Sequence, residues 1–173
     1  MINIVLFEPE IPGNTGNIMR TCVATNSKLH LIEPLGFSLE EKYIRRSGVN
    51  YIDNCDYTIY KNWDEFYTKN KENAKFYFLT RYGHQPHSSF DYHDSEENIY
   101  FVFGKESTGI PRDILKPHLD TCMRMPMTDK VRSLNLSNTV AIMIYEALRQ
   151  QNYNDLLRDE PHKSTTFIED FED

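Results

Sequence analysis

Ile2 to Phe7 and Ile99 to Phe103 are nearly unbroken apolar runs, each released into a loop rich in turn residues. They are far too short to cross a bilayer and do not alternate as a half-wetted strand would. Such runs fit strands covered on both faces, as in a parallel sheet. Shorter strand segments follow the same rule at Leu29 to Ile32, Tyr57 to Tyr60, Phe76 to Thr80 and Cys122 to Met125. Helical segments separate them. The first runs through Ile18, Met19, Cys22 and Val23, with Asn14 or Thr15 expected as its cap. A polar helix is expected over Glu40 to Ser47, another over Trp63 to Asn70, and one entered at Pro111 and running through Leu115. The segment Arg81 to Pro86 reads as a polar loop. Strands alternating with helices imply an α/β fold, a mostly parallel sheet with helices on both faces. At 173 residues the chain is expected to hold one domain over 1–153, with a loosely ordered acidic tail over 154–173.

Other classes are disfavoured by what the residues lack. Cys22, Cys55 and Cys122 are an odd number without CxxC spacing and suit buried thiols in a reducing cytosol. The six histidines show no metal-ligand spacing, so no metal is expected. Ile2 to Phe7 reads as a first strand rather than a leader, which points to a cytoplasmic protein without a membrane anchor. The net charge of −7 argues at first against a nucleic-acid partner. Most of that excess lies in the tail, however, where Asp155, Asp159, Glu160, Glu169, Asp170, Glu172 and Asp173 face only Arg158 and Lys163. Basic residues gather instead at Lys42, Arg45 and Arg46, and again at Arg124, Lys130 and Arg132.

Three polar loops stand after strands, at 8–17, 104–109 and 126–138. In open α/β sheets ligands bind beyond the carboxyl ends of strands, so these loops are candidates for one site. Gly104 and Gly109 superficially suggest a phosphate cradle, but the GK[ST] ending and the GxGxxG pattern are both absent. Glu8 and Glu10, beside two prolines, read as solvent-facing or as partners of the nearby helix N-terminus. Arg20, taken alone, reads as a surface arginine. Ser133, Asn135, Ser137 and Asn138 crowd the entrance of the last helix, where side-chain oxygens meet free N–H groups. Thr139 to Tyr145 then reads as apolar nearly all round, which implies cover on every side and a second copy of the chain as the cover.

Taken together the loops are far more specific. EPEIPGNTGNIMRT, then FVFGKESTGIP, then MRMPM followed by VRSLNLSNTVAIMIYEALRQ, in this order, resemble the three motifs of the SPOUT methyltransferases. More closely they resemble the TrmL group, tRNA (cytidine(34)-2′-O)-methyltransferases acting on the wobble cytidine or uridine. The resemblance covers residues 1 to 153. It implies a C-terminal deep trefoil knot, a homodimer, S-adenosylmethionine as methyl donor, and the anticodon stem-loop of a tRNA, a leucine tRNA foremost, as substrate. It implies a minimal chain with no separate RNA-binding domain. By the family pattern the cofactor lies against Leu79, Thr80, Gly104, Met125, Ser133 and Leu134. Arg20, Ser133 and Asn135 match its catalytic positions, and Glu106 matches an acid that fixes the second loop. Asn14 and Asn17 would hold the first loop. Apolar walls at Leu79, Met125 and Leu134 suit an adenine, and a glycine at 104 lets backbone approach a ligand. The alternatives are a 2′-O-methyltransferase of another RNA, a base-nitrogen methyltransferase, and a non-catalytic RNA-binding knot protein. A base-nitrogen enzyme would be expected to carry a carboxylate where this chain has Ser133 and Asn135.

Overall fold

In the computed structural model, which describes residues 1–39, 53–164 and 166–170, the apolar runs become strands of one sheet. The strands are β1 (Ile2–Phe7), β2 (Lys28–Ile32), β3 (Tyr57–Tyr60), β4 (Ala74–Leu79), β5 (Gln85–Pro86), β6 (Asn98–Phe103) and β7 (Cys122–Arg124). The α-helices are α1 (Pro12–Ala24), α2 (Trp63–Asn70), α3 (Arg112–Leu115) and α4 (Leu136–Gln150). The strand order is β3-β2-β1-β6-β4-β7-β5 and every pairing is parallel. β1 sits between β2 and β6, with Leu6 opposite Leu31 on one side and Phe103 on the other. From β1 the chain moves outward to β2 and β3, whereas β6 leads on past β4 to β7. The loops after β1 and β6 therefore part company where the strand order reverses, the crevice in which open α/β sheets hold ligands.

Alternate residues of each strand feed two cores, so the sheet is covered on both faces. Ile4, Leu6, Leu31, Phe101 and Phe103 pack beneath α1 and α4. Val5, Phe7, Phe78 and Val102 pack beneath α2 and α3, where Phe66, Ile114 and Leu115 meet them. The second face also buries a polar group. His30 Nδ1 lies 3.0 Å from Tyr60 Oη and its Nε2 lies 3.1 Å from Asn3 Oδ1.

Three local expectations are corrected. α1 begins at Pro12, not after an Asn14 or Thr15 cap; both residues are buried inside the helix, and Ile11 precedes it without a side-chain cap. Proline suits the first helical position because its φ is already helical and it has no N–H to leave unpaired. Arg81 to Pro86 is not all loop: Gln85 and Pro86 pair with Met123 and Arg124 as a two-residue edge strand, a place that tolerates proline. Glu8 and Glu10 bind a neighbouring loop, as set out below. α4 is buried by its own protomer along one stripe only. Val140, Met143, Ile144, Ala147 and Leu148 form one buried stripe, while Ile142 and Tyr145 are 40% and 48% exposed. Met143 thus belongs to the protomer's own core, and the apolar residues left exposed lie on the outer side of α4. The expected helix over Glu40 to Ser47 lies outside the described residues.

Candidate active site

The loop after β1 and the loop after β6 are tied to each other, acid by acid. Glu106 accepts from the Glu10 backbone N–H through Oε2 and from Asn14 Nδ2 through Oε1, both at 2.9 Å. Glu10 in turn accepts from the Ser107 N–H at 2.9 Å and from Ser107 Oγ at 2.8 Å. Those two bonds favour the carboxylate, so the Glu10 carboxyl is held below its ordinary range, with the Ser107 hydroxyl as the main cause. Glu8 takes a hydrogen bond and charge from Lys105 Nζ, which raises the lysine's pKa. Glu8 and Glu10 are therefore struts between two loops rather than solvated acids.

The tie continues into the last helix. Asn135 Nδ2 donates to Asn14 Oδ1 at 3.0 Å. Asn135 Oδ1 accepts from the Ser137 N–H at 2.9 Å, from Ser137 Oγ at 2.6 Å and from the Asn138 N–H at 3.4 Å. Asn135 is the N-cap of α4, so one side chain both starts the helix and fastens it to α1. The loop at 104–109 is shaped by close backbone packing. A Cβ on Gly104 would stand 2.1 Å from the carbonyl carbon of Gly109, which itself takes the left-handed φ of +77°.

These ties frame a cavity of about 780 Å³ at the carboxyl ends of β4, β6 and β7. Every residue expected at the cofactor lines it: Leu79, Thr80, Gly104, Met125, Ser133 and Leu134. Asn135 lines it too, and so does Glu106. Arg20 does not. It stands exposed on α1, outside the lining. Sequence reasoning missed Ile11, Arg81, Tyr82 and Met127 as cavity residues. The signal for Arg81 and Tyr82 was their place just beyond Thr80 at a strand end, and it was read only as a polar loop. Arg132, one of the basic residues gathered over 124–132, also reaches the lining. Among the described residues no group of three or more His, Cys, Asp and Glu could hold a metal ion. No helix among them is long and apolar enough to cross a membrane.

A loop-built cavity at the reversal point of a parallel sheet admits many chemistries, and comparison with known proteins narrows them. The sequence model of the SpoU rRNA methylase family matches residues 1–145. The chain belongs to that family. Among its relatives, a protein of Bacillus subtilis (strain 168), provisionally named a tRNA (cytidine(34)-2′-O)-methyltransferase, is 53% identical over 155 residues. The match spans 90% of this chain and 96% of that one. A tRNA (cytidine(34)-2′-O)-methyltransferase of Saccharophagus degradans is 44% identical over 154 residues, 88% of this chain and 97% of that one. A solved structure described as giving insight into the 2-OH methylation of C/U34 on tRNA superposes with a TM-score of 0.82 at 34% identity. It covers 89% of this chain and 98% of its own. In this SpoU-family chain the three loops singled out by sequence are thus the loops that meet.

Proposed function

We infer that this protein is a tRNA methyltransferase that transfers a methyl group to the ribose 2′-hydroxyl of cytidine or uridine 34. The observation that carries the reading is the convergence of the loops after β4, β6 and β7 on one cavity in a chain 53% identical to a relative named for that reaction. We propose S-adenosylmethionine as the donor. The residues present fit it: Leu79, Met125 and Leu134 offer apolar walls, Gly104 offers bare backbone, and about 780 Å³ is ample for a ligand of nucleoside size. When bound, it supplies an electrophilic methyl group and leaves as the neutral thioether.

The chain's own part is to place a weakly acidic hydroxyl and to ease the loss of its proton to RNA phosphate or water. Arg20 is proposed to stabilise the oxyanion that develops as that proton leaves, because a guanidinium with a pKa above about 12 is a poor base but a good donor. Ser133, on the cavity wall, is proposed to orient the hydroxyl. Asn135 is proposed to fix the frame, since its carboxamide already binds Asn14 and the start of α4. Arg20 stands outside the lining of its own protomer, so we propose a homodimer in which a second copy covers Ile142 and Tyr145 on α4 and brings α1 of one copy to the site of the other. The packing of α1 against α4 supports that placement. A trefoil knot at the C-terminal part, a leucine tRNA as substrate, and a cytoplasmic setting complete the proposal.

The test is to incubate purified protein with S-adenosylmethionine and unmodified tRNA and to map the product by nuclease digestion and mass spectrometry. A 2′-O-methyl group at nucleotide 34 is expected. Methylation of a base, or of ribosomal RNA in preference to tRNA, would refute the reading.

A further inference from the structure

We propose that Tyr82, with Arg81 and Arg132, forms a subsite at the cavity mouth that takes an unpaired nucleobase on the tyrosine ring and its phosphate on the two guanidiniums. The inference rests on the reading of this protein as an RNA methyltransferase and names how that site would grip its RNA. All three residues line the cavity. Tyr82 is 63% exposed, a large aromatic ring left in water at the edge of a site otherwise walled by Leu79, Met125 and Leu134. Its turn is held firmly. The Thr80 N–H donates to the Met123 carbonyl at 3.0 Å, and the Gly83 N–H donates to the Thr80 carbonyl at 3.2 Å. Gly83 is pressed so closely on β7 that a Cβ there would stand 2.5 Å from the Met123 carbonyl carbon. The ring therefore projects from a fixed support and gives up little freedom on binding.

Arg81 completes the platform. Its guanidinium lies 4.8 Å from the centre of the Tyr82 ring, and its Nη2 donates to Tyr82 Oη at 2.6 Å. That contact orients the ring and leaves much of it open to a flat partner. The charges agree with a nucleotide. Of the acids in the three loops, Glu8, Glu10 and Glu106 are already bound to Lys105, Ser107 and Asn14, and Asp129 forms no ion pair with either guanidinium. Among the described residues neither Arg81 nor Arg132 has a carboxylate partner, although the chain as a whole carries −7. An exposed aromatic beside guanidiniums that no carboxylate neutralises is the combination by which proteins hold splayed-out RNA bases.

The probe is an RNA hairpin with 2-aminopurine in its loop, whose fluorescence is quenched when the base stacks. Wild-type protein should quench it on binding. Tyr82→Ala should lose the quench and bind the hairpin about tenfold more weakly or worse, while Tyr82→Trp keeps both. Affinity for S-adenosylhomocysteine, measured by calorimetry, should be unchanged in both variants. Unaltered hairpin affinity and quench in Tyr82→Ala would overturn the proposal, as would a wild-type protein that leaves the probe unquenched. So would a selective loss of S-adenosylhomocysteine binding, which would assign the ring to the cofactor instead. Should the quench behave as expected while tRNA is methylated away from nucleotide 34, the proposed substrate position fails and the subsite stands.

Discussion

Two pairs of loops meet at the carboxyl end of the sheet and treat their polar groups in opposite ways. In residues 8–14 and 104–109 the carboxylates of Glu8, Glu10 and Glu106 are each matched by a protein donor. In residues 80–82 and 132–134 the guanidiniums of Arg81 and Arg132 have no acid partner among the described residues, and Tyr82 is turned to water. A polar group that has found a protein partner holds shape, because losing that partner leaves the other group unsatisfied. A polar group without one is available to a ligand. The first pair is scaffold and the second is where binding energy is left to be gained.

The most damaging way to break this contrast is Gly104→Ala. The new Cβ meets backbone at 2.1 and 2.3 Å, and backbone cannot step aside as a side-chain tip can. Overpacking of this kind costs about 3 kcal/mol. Thermal denaturation should show that loss, and calorimetry should detect no S-adenosylmethionine binding; wild-type affinity in this variant would mean that the tight packing does not shape the cavity. Arg20→Ala comes next and concerns neither loop pair. Single-turnover methyl transfer at saturating tRNA should fall by roughly 100-fold, with cofactor affinity unchanged, and Arg20→Lys should not restore it fully. A rate equal to wild type would remove Arg20 from the chemistry and leave it at most a phosphate contact, seen as a raised KM.

The fold's acid sensitivity should come from elsewhere again, on the far face of the sheet. Burial lowers the pKa of His30 from 6.5 to about 4, helped by the charge of Lys28. Between those values the unfolded chain binds a proton that the folded chain refuses. Stability is therefore full above pH 6.5 and declines as pH falls toward 4, by about 3 kcal/mol in all. Urea titrations should follow that decline, and His30→Gln should flatten it. An equal decline in His30→Gln would shift the blame to the loop acids. The smallest effects separate the loops themselves. Glu106→Ala should cost about 1–2 kcal/mol, since it frees Asn14 and the Glu10 N–H at once. Arg132→Ala should change stability by less than about 0.5 kcal/mol yet reduce the salt dependence of tRNA binding by about one counterion. If instead the stability losses were reversed between these two variants, the division into scaffold and binding loops would be wrong.

The legible parts of this fold are those whose signal is local. β1 and β6 could be read because burial on both faces writes a continuous apolar run, and α2 because Asn62 caps a segment with acids in its first turn. The six residues expected at a cofactor came from motif resemblance, residue by residue, and all six line the cavity. Partnerships across the chain were not. Glu10 and Ser107 are 97 residues apart, so nothing near either glutamate announces that it will be a strut. β5 is two residues long and owes its existence to β7, which no periodicity could reveal. The one-sided burial of α4 escaped for a related reason. Its composition is apolar around much of the helix, and only the position of the sheet decides which stripe is inside.

The bond from Asn135 to Asn14 joins residues 121 apart, and Asn14 is also held by Glu106, 92 residues away. On the ribosome the first loop is made early, but its anchors emerge only near the end of synthesis. Until then α1 can lie on its sheet while its entrance stays unfastened. Closing loops of such length is entropically costly and slow, so the cavity is among the last features to take shape. A nascent or truncated chain lacking α4 would keep all seven strands and still lack the helix start that fastens Asn14.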